Sequence, residues 1–575
     1  MEHTPVWQLQ SPDSSSVRRL VSELDCSWRL ASILVNRGIT DPEAGRRMLQ
    51  PDRSALHDPA TVPDLEPALD RLDRALDREE EIVVYADRDV DGVSGGAILV
   101  TLLRDLSGAG DLGRTGDLGG TVRPYVPGKW DGYGMHADAV REFVDEGVDL
   151  LVTVDCGTTA LEAVELANRG GLDVVVTDHH KPEERLPDAV ACVNPRREDS
   201  TYPNDALAGG AIAFKLGQAL VEKRERSGKL DDYCRYALPL AAIATLGDYV
   251  LLTPENRAIA REGFDGLSDC GIPGLVTLVE HLDVATLRDV SWSLVPLLNA
   301  GQEATEGSLA LDLLLESDAD RIAAIVEQLE TYREQRSAER RERQAYLEAC
   351  VAEQCDPETD LVFLVETDRY VGGVALSRVA SQWGRPVIAY REKDGQYRAG
   401  GRSVGDVDLR ALYERAADLL EEYWGHPGAA GFRIARKRWD AFTEAFDRAI
   451  REAYSPEELR PTVDIDWVVE PTEARSILSE LEALQPFGNG NAEPNFLIEG
   501  IEVDDVDRFG DGGRHAKVRP AGTDALSVID WDGGETLGAL ETPATIDVVG
   551  TLGMDTFEGR PALAVEDWRV VGEAG

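Results

Sequence analysis

In the first half of the chain, short unbroken apolar runs alternate with longer stretches of helical periodicity. Ile82-Val83-Val84-Tyr85-Ala86, Leu151-Val152-Thr153-Val154 and Val174-Val175-Val176-Thr177 have the length and β-branched content of strands buried on both faces. The alternation from Ile82 to about Asp248 therefore predicts a parallel sheet covered by helices. Ahead of it, residues 17 to 50 read as helical, with Val17, Leu20, Val21, Leu24, Leu30, Ile33 and Leu34 at helical spacing. Asp41-Pro42-Glu43 marks a helix start with proline at the first position. Ser107 to Gly120 holds six glycines and no periodicity, and reads as a surface insertion.

The second half changes character twice. Asp318 to Gln354 is almost free of Gly and Pro and dense in Glu, Arg, Ala and Leu, the pattern of one long exposed connecting helix. Leu361-Val362-Phe363-Leu364-Val365 opens a second mixed α/β unit that runs to about Tyr454. Beyond Pro461 come short alternating segments and Gly-rich turns, with helical pattern only from Glu473 to Leu484. Phe496 to Val571 reads as a small OB-like β-barrel of about five strands. The expected fold class is α/β: an N-terminal helical segment (1–60), a doubly wound parallel-sheet domain (61–316), a connecting helix (317–356), an α/β domain (357–458) and an OB-like β-barrel domain (459–575).

Composition narrows the function classes. Hydrophobic residues make up 43% of 575, enough for several globular cores, and no apolar run approaches the roughly 20 residues that cross a bilayer. Met1-Glu2-His3-Thr4-Pro5 is no signal segment, and seven cysteines without a C-x-x-C pair form no zinc or disulfide framework, so a cytoplasmic protein without a membrane partner is expected. Net charge is −48, with only eight lysines beside 51 arginines. An acidic, lysine-poor surface suits molar salt, where the Debye length is about 3 Å and self-repulsion is screened. We read it chiefly as adaptation to high salt, the alternative being an acidic partner-repelling surface with its own function. A nucleic-acid substrate is then not excluded, although short-range hydrogen bonds and metal contacts must hold its phosphates, because counterion release contributes little in such salt.

The candidate chemistry stands where apolar segments give way to turns. Asp87, Asp89, Asp91 and Gly92 follow the first run, Asp155-Cys156-Gly157 the second and Asp178-His179-His180 the third, while Asp248 follows Ala244-Thr245-Leu246-Gly247. In an open parallel sheet the carboxyl ends of strands line one edge, where ligands bind. Carboxylates gathered there repel one another unless a cation neutralises them. Oxygen donors with one or two imidazoles suit Mn²⁺ or Mg²⁺. Taken singly, the acidic turn is equally an ordinary solvated one in so acidic a chain; the histidine pair, among only eight histidines, is more telling.

Asp178-His179-His180, with the order of the other motifs, resembles the DHH phosphoesterase superfamily and within it the RecJ-like single-strand exonucleases. Arg37 to Glu43 resembles that family's N-terminal segment, Asp87 to Gly92 its D-x-D-x-D-G motif, and Val126-Pro127 with Gly132-Tyr133-Gly134 its V-P-x-R-x-x-G-Y-G stretch. Asp155-Cys156-Gly157 and Asn194-Pro195-Arg196 follow in the expected order. Gly400 to Ser403 and Gly425 to Gly431 resemble a DHHA1 substrate domain; Pro486-Phe487-Gly488-Asn489-Gly490-Asn491 with Glu493-Pro494 resembles the entry to a RecJ OB-fold.

The resemblance implies a doubly wound DHH domain, a DHHA1 domain and two divalent ions held by Asp89, Asp91, Asp155, His179 and Asp248, with Asp155 bridging. It implies that Asp178 orients an imidazole, that Asp87 is supportive and that His180 contacts the scissile phosphate. Arg402, Ser403, Gly425 and His426 would bind substrate, Gly425 and the Gly428-to-Gly431 run by close backbone approach to an anion. In the barrel, Phe496, Arg508, Arg514, His515 and Lys517 are candidates for single-strand contact. The chain departs from the pattern at Asn299-Ala300-Gly301-Gln302, which lacks a closing Arg, at Tyr85, where a His is common, and at Arg88, Val90 and Trp424. The implied activity is an Mn²⁺- or Mg²⁺-dependent exonuclease acting on single-stranded DNA, 5′ to 3′, in repair and recombination, with a single-strand-binding or GINS/helicase protein as partner. Alternatives are an RNA or short-oligonucleotide phosphodiesterase and a scaffold of the archaeal replicative helicase complex.

Overall fold

In the computed structural model, which describes residues 5–108, 121–224, 229–303, 308–555 and 557–571, the first apolar runs form the expected parallel strands. Residues 109–120 of the anticipated insertion lie outside the described set. The chain forms two units: Ser14–Glu334 with Ser479–Glu493, and Met1–Asp13 with Gln335–Leu478 and Pro494–Gly575. Strand β1 (Val6–Leu9) belongs to the second of these, where it pairs in parallel with Thr462–Ile465.

The first unit begins with α1 (Ser14–Leu24), α2 (Trp28–Asn36) and α3 (Pro42–Leu49), so the helical stretch read over 17–50 is in fact three helices. Local capping sets the breaks: the Ser27 side chain accepts from Leu30 N and that of Asp41 from Ala44 N, with Pro42 opening α3. After α4 (Leu65–Asp77) come β2 (Ile82–Ala86), α5 (Val90–Leu106), β3 (Val122–Tyr125), α6 (Ala137–Glu146), β4 (Leu150–Val154), α7 (Leu161–Gly170), β5 (Asp173–Thr177) and β6 (Ala191–Val193). Every pair is parallel and the order is β3-β2-β4-β5-β6, so the direction of winding reverses between β2 and β4. Successive residues serve opposite cores. Val84, Val152 and Val175 pack with α4, α5, α8 (Gly209–Lys223) and α9 (Leu230–Gly247); Val83, Tyr85, Leu151 and Val174 pack with α6 and α7. This double cover is why the strands read as continuous apolar runs.

One sequence expectation is corrected here. Ala244-Thr245-Leu246-Gly247 is not a strand but the last turn of α9, and Asp248 is its C-cap. A short apolar run does not by itself distinguish a buried helix from a strand. The following α10 (Pro254–Asp265) starts six residues beyond Asp248, with Thr253 as N-cap.

The second unit contains most of the 36-residue helix Ala319–Gln354 and a five-stranded mixed sheet of β7 (Phe363–Glu366), β8 (Val387–Lys393), β9 (Gln396–Arg402), β10 (Glu422–His426) and β11 (Ala429–Ala435), ordered β10-β11-β9-β8-β7. After β12 (Thr462–Ile465), the partner of β1, the C-terminal strands are β13 (Trp467–Val468), β14 (Asn495–Val503), β15 (Val506–Phe509), β16 (His515–Val518), β17 (Ser527–Asp530), β18 (Ala544–Asp555) and β19 (Arg560–Val570). The ladder runs β14-β18-β19-β17-β16-β15, and β15 continues β14 after Asp504-Asp505. One bent strand thus joins both ends of the ladder, giving the closed five-stranded barrel expected of an OB-like domain. Among the described residues no helix is long and apolar enough to cross a membrane.

Candidate metal centre

The strand-end acids hang from the last rungs of the parallel ladder. Asp87 N donates to Val154 O at 3.0 Å, Asp155 N to Thr177 O at 3.0 Å and Asp178 N to Val193 O at 3.1 Å, so each carboxylate begins where its strand stops. Asp87 and Asp155 flank the reversal point between β2 and β4, where an open α/β sheet leaves a crevice. Asp155 has φ 61°, in the left-handed region, a conformation costing roughly 1–2 kcal/mol and visited by Asp more readily than by most residues. Strain of this kind collects at functional sites.

The acidic turn folds back as the start of α5. The Asp89 side chain caps it, accepting from Asp91 N and Gly92 N at 3.1 and 3.2 Å. A Cβ on Gly92 would stand 2.4 Å from Asp87 O, so only glycine lets the first turn lie over the strand end. Asp91 points inward, and its two oxygens accept from Gly209 N and Gly210 N at 2.7 and 2.6 Å, the first amides of α8. A helix N-terminus stabilises that carboxylate. A Cβ on Gly209 would lie 2.6 Å from Asp155 Cβ, which brings Asp91 and Asp155 to one cradle.

His179 is the focus. Its Nε2 lies 3.1 Å from Asp155 Oδ1, 3.7 Å from Asp91 Oδ2 and 3.6 Å from Asp248 Oδ2. Two donor groups, Asp91–His179–Asp248 and Asp155–His179–His180, have the closeness of a cation's ligand shell. Asp155 Oδ1 and His179 Nε2 are buried with no hydrogen-bond partner, a costly state that a bound cation would relieve. Electrostatics agree. Burial and then the charges of Asp248 and Asp89 push the Asp91 carboxyl well up; burial and then Asp91 and Asp89 do the same to Asp155. Asp248 is raised to about 6 by burial and Asp89, and Asp87 to about 6, chiefly by burial. Burial, with the His180 charge, lowers His179 to about 4, so it stays a neutral donor at pH 7. Mutually repelling oxygens around a neutral imidazole suit a hard divalent ion.

The remaining expected residues fall into place around this centre. Asp89 adds its charge to Asp91, Asp155 and Asp248, but its Oδ1 is engaged with the α5 amides and it is not among the two closest donor groups. Asp87 accepts from Arg88 N at 2.8 Å and Gly134 N at 3.2 Å. Asp178 accepts from Thr158 N, His179 N and His180 N and lies 2.8 Å from His180 Nδ1. The imidazole it orients is therefore that of the half-exposed His180. Burial alone would raise Asp178, yet its bonds with His180 hold it down at about 2, and the same contact raises His180. Gln302 is occupied as well, accepting from Tyr133 Oη at 3.1 Å and donating to Asn299 Oδ1 at 2.9 Å, while Asn299 Oδ1 also accepts from Val90 N.

In the second unit, Arg402, Ser403, Gly425 and His426 gather at one end of three neighbouring strands, with Arg402 opposite Ala429 and Gly425 opposite Ala430. The expected backbone anion nest at Gly428 to Gly431 is largely central strand: β11 is hydrogen-bonded to β10 and β9, so its amides belong to the ladder. The Ser403 hydroxyl donates to Val407 O, and His426 is exposed. In the barrel, Phe496 is core and Lys517 is ion-paired with Asp555 and Glu558 at 2.6 and 2.7 Å. Arg514 pairs with Asp532 and Arg508 donates to Gly534 O. Trp531 and Phe557, which the sequence reading passed over, are the barrel's strongly exposed aromatics. It also missed Gly209-Gly210, whose signal was a Gly pair opening an apolar helix.

Three family models match: the DHH family N-terminal domain over residues 81–245, the DHHA1 domain over 361–452 and the RecJ OB domain over 465–567. The single-stranded-DNA-specific exonuclease RecJ of Thermus thermophilus is 31% identical over 86% of this chain and 69% of that protein. The chain belongs to the RecJ family. The RecJ of Bacillus subtilis is 29% identical over 98% of the chain and 70% of its own length. Among solved structures, Thermus thermophilus RecJ in complex with Mn²⁺ has a TM-score of 0.74 at 27% identity, covering 98% of this chain and 79% of that one; a structure of that RecJ with Mg²⁺ has a TM-score of 0.68. The RecJ match agrees with the α/β order and the barrel described above.

Proposed function

We propose that this RecJ-family chain is a divalent-metal-dependent exonuclease that hydrolyses phosphodiester bonds of single-stranded DNA, working 5′ to 3′. The observation that carries the reading is the convergence on His179 Nε2 of Asp91, Asp155 and Asp248 from three separate segments, with two donor atoms buried and unpartnered. The RecJ relatives, named for single-stranded DNA, and the Mn²⁺- and Mg²⁺-bound RecJ structures support the substrate and metal.

Asp89, Asp91, Asp155, His179 and Asp248 would hold two ions, Mn²⁺ or Mg²⁺. Such a pair supplies Lewis acidity at the scissile phosphate, activation of the attacking water and neutralisation of the leaving oxygen. The protein's own contribution is positional. The α8 amides aim Asp91, Asp178 fixes the His180 ring, and His180, whose pKa that contact raises, presents its outer ring nitrogen to a phosphate oxygen. Arg402, Ser403, Gly425 and His426 of the DHHA1 domain bind the strand, and the barrel adds contacts through its exposed aromatics.

We read the charge of −48 as adaptation to molar salt, and propose the cytoplasm of a halophilic archaeon as the setting, repair and recombination as the role and a single-strand-binding or helicase-associated protein as the partner. End-labelled single strands of DNA and RNA, incubated with Mn²⁺ in molar salt, test the reading. Mononucleotides released from DNA 5′ ends support it; RNA-only cleavage, or equal activity in wild type and His179→Ala, overturns it.

A further inference from the structure

The start of α10 carries three consecutive polar residues that look, in sequence, like an ordinary charged helix opening. All three are buried: Glu255 and Asn256 are 0% exposed and Arg257 2%. We propose that Glu255-Asn256-Arg257 is a positioning hub for the metal centre, in which Asn256 sets the separation between the cradle of Asp91 and the turn that carries Asp248. This rests on the metal-dependent reading above.

Asn256 Nδ2 donates to Ala206 O at 2.6 Å and to Leu251 O at 2.8 Å. Ala206 lies three residues before Gly209, whose amide holds Asp91; Leu251 lies three residues after Asp248. One amide group therefore ties together the two segments that bring Asp91 and Asp248 to His179 Nε2. The Asn256 carbonyl is used too, accepting from Asn204 Nδ2 at 3.2 Å, while Asn204 Oδ1 accepts from Ala206 N. A fully connected buried network of this kind specifies a single geometry.

The neighbours extend the tie. Glu255 accepts from His57 N, Tyr202 Oη and Asn204 Nδ2 and pairs at 2.8 Å with buried Lys215, on the helix whose N-terminus holds Asp91. Arg257 donates to the carbonyls of Met48, Leu484, Gln485 and Pro486. It thereby seats the Pro486-Phe487-Gly488-Asn489-Gly490-Asn491 motif, and Asn489 O accepts from Leu252 N at 2.9 Å. The Asp248 turn is thus held on one side by Asn256 and on the other by a motif that no catalytic step uses. Its backbone needs holding: Tyr249, next to Asp248, has φ 55°.

The test is Mn²⁺ binding, titrated on folded protein without DNA, beside kcat, KM and thermal melting. Asn256→Ala should weaken Mn²⁺ binding about 10- to 100-fold, the range for losing a group that orients metal ligands, and lower kcat with little change in KM for DNA. Asn256→Asp, isosteric but without the two donors, should behave alike and keeps the test open if the alanine variant folds poorly. Glu262→Ala, on the exposed side of α10 where Glu262 pairs with Arg53, should shift only the melting temperature. Unchanged Mn²⁺ affinity in both Asn256 variants, with only a lowered melting temperature, overturns the inference. Absence of Mn²⁺ binding by the wild type would instead overturn the metal reading itself.

Discussion

The Asp178 carboxylate lies 2.8 Å from His180 Nδ1 and at the same time accepts the amides of Thr158, His179 and His180. One buried acid therefore sets both the backbone of the histidine pair and the ring of its second member, leaving His180 Nε2 for the substrate contact proposed above. His180→Ala should lower kcat at least ten-fold while Mn²⁺ affinity stays near wild type. A parallel fall in Mn²⁺ affinity would make His180 a metal ligand, a role its closeness to Asp155 and His179 also permits. Asp178→Ala should do more harm, because orphaned buried amides cost about 1–3 kcal/mol each; melting and kcat should fall together.

Asp155→Asn removes one of several crowded carboxylates at a position whose positive φ asparagine also tolerates. In EDTA the variant should melt higher than wild type, because the burial and repulsion that raise Asp155 disappear with its charge. With Mn²⁺ the order should reverse, and activity should be lost. A variant that melts lower than wild type in EDTA would mean that Asp155 is not strained by its neighbours.

The metal-induced rise in melting temperature should grow with pH from about 4 to above 6. Asp248, raised to about 6, costs the metal-free fold stability once it ionises above that value, and the cost vanishes below its ordinary 3.8. His179 runs the other way: held down at about 4, it destabilises the metal-free fold as pH falls from its ordinary 6.5. Ligation needs both groups deprotonated, so protons compete with the ion at either one. Melting curves with Mn²⁺ and with EDTA across this range check the trend; a shift independent of pH would contradict it.

Gly209→Ala tests the cradle. Its new Cβ would sit 2.6 Å from Asp155 Cβ and 2.9 Å from Asp155 Cα, so backbone must move, at a cost of about 1–3 kcal/mol. Activity should fall at least ten-fold, with the variant still folded by circular dichroism. Gly500→Ala, at a barrel position with no atom near its Cβ, should leave activity unchanged despite its positive φ.

Much of this centre was legible before any coordinates. Donors at the ends of β2, β4 and β5 could be named because apolar runs stop at them, and the scarcity of histidine singled out His179-His180. The same reasoning misjudged Ala244–Gly247, which is helical, and Gly428 to Gly431, whose amides serve a central strand. In both places a local pattern fits two structures, and packing chooses between them. The Glu255-Asn256-Arg257 hub was invisible for a related reason: polar residues at a helix start ordinarily face water, and only the surrounding carbonyls turn them inward.

The sequence by itself determined which donor atoms are available, in what order, and that β2, β4 and β5 run parallel with their acids at one edge. That information is local, written in where each apolar run ends. Only the tertiary structure decided which donors stand within reach of one cation, since His179 meets Asp91, Asp155 and Asp248 through three long-range contacts. Those meetings depend on strand order, on the left-handed backbone at Asp155 and on the amides of α8, none of which a one-dimensional pattern records.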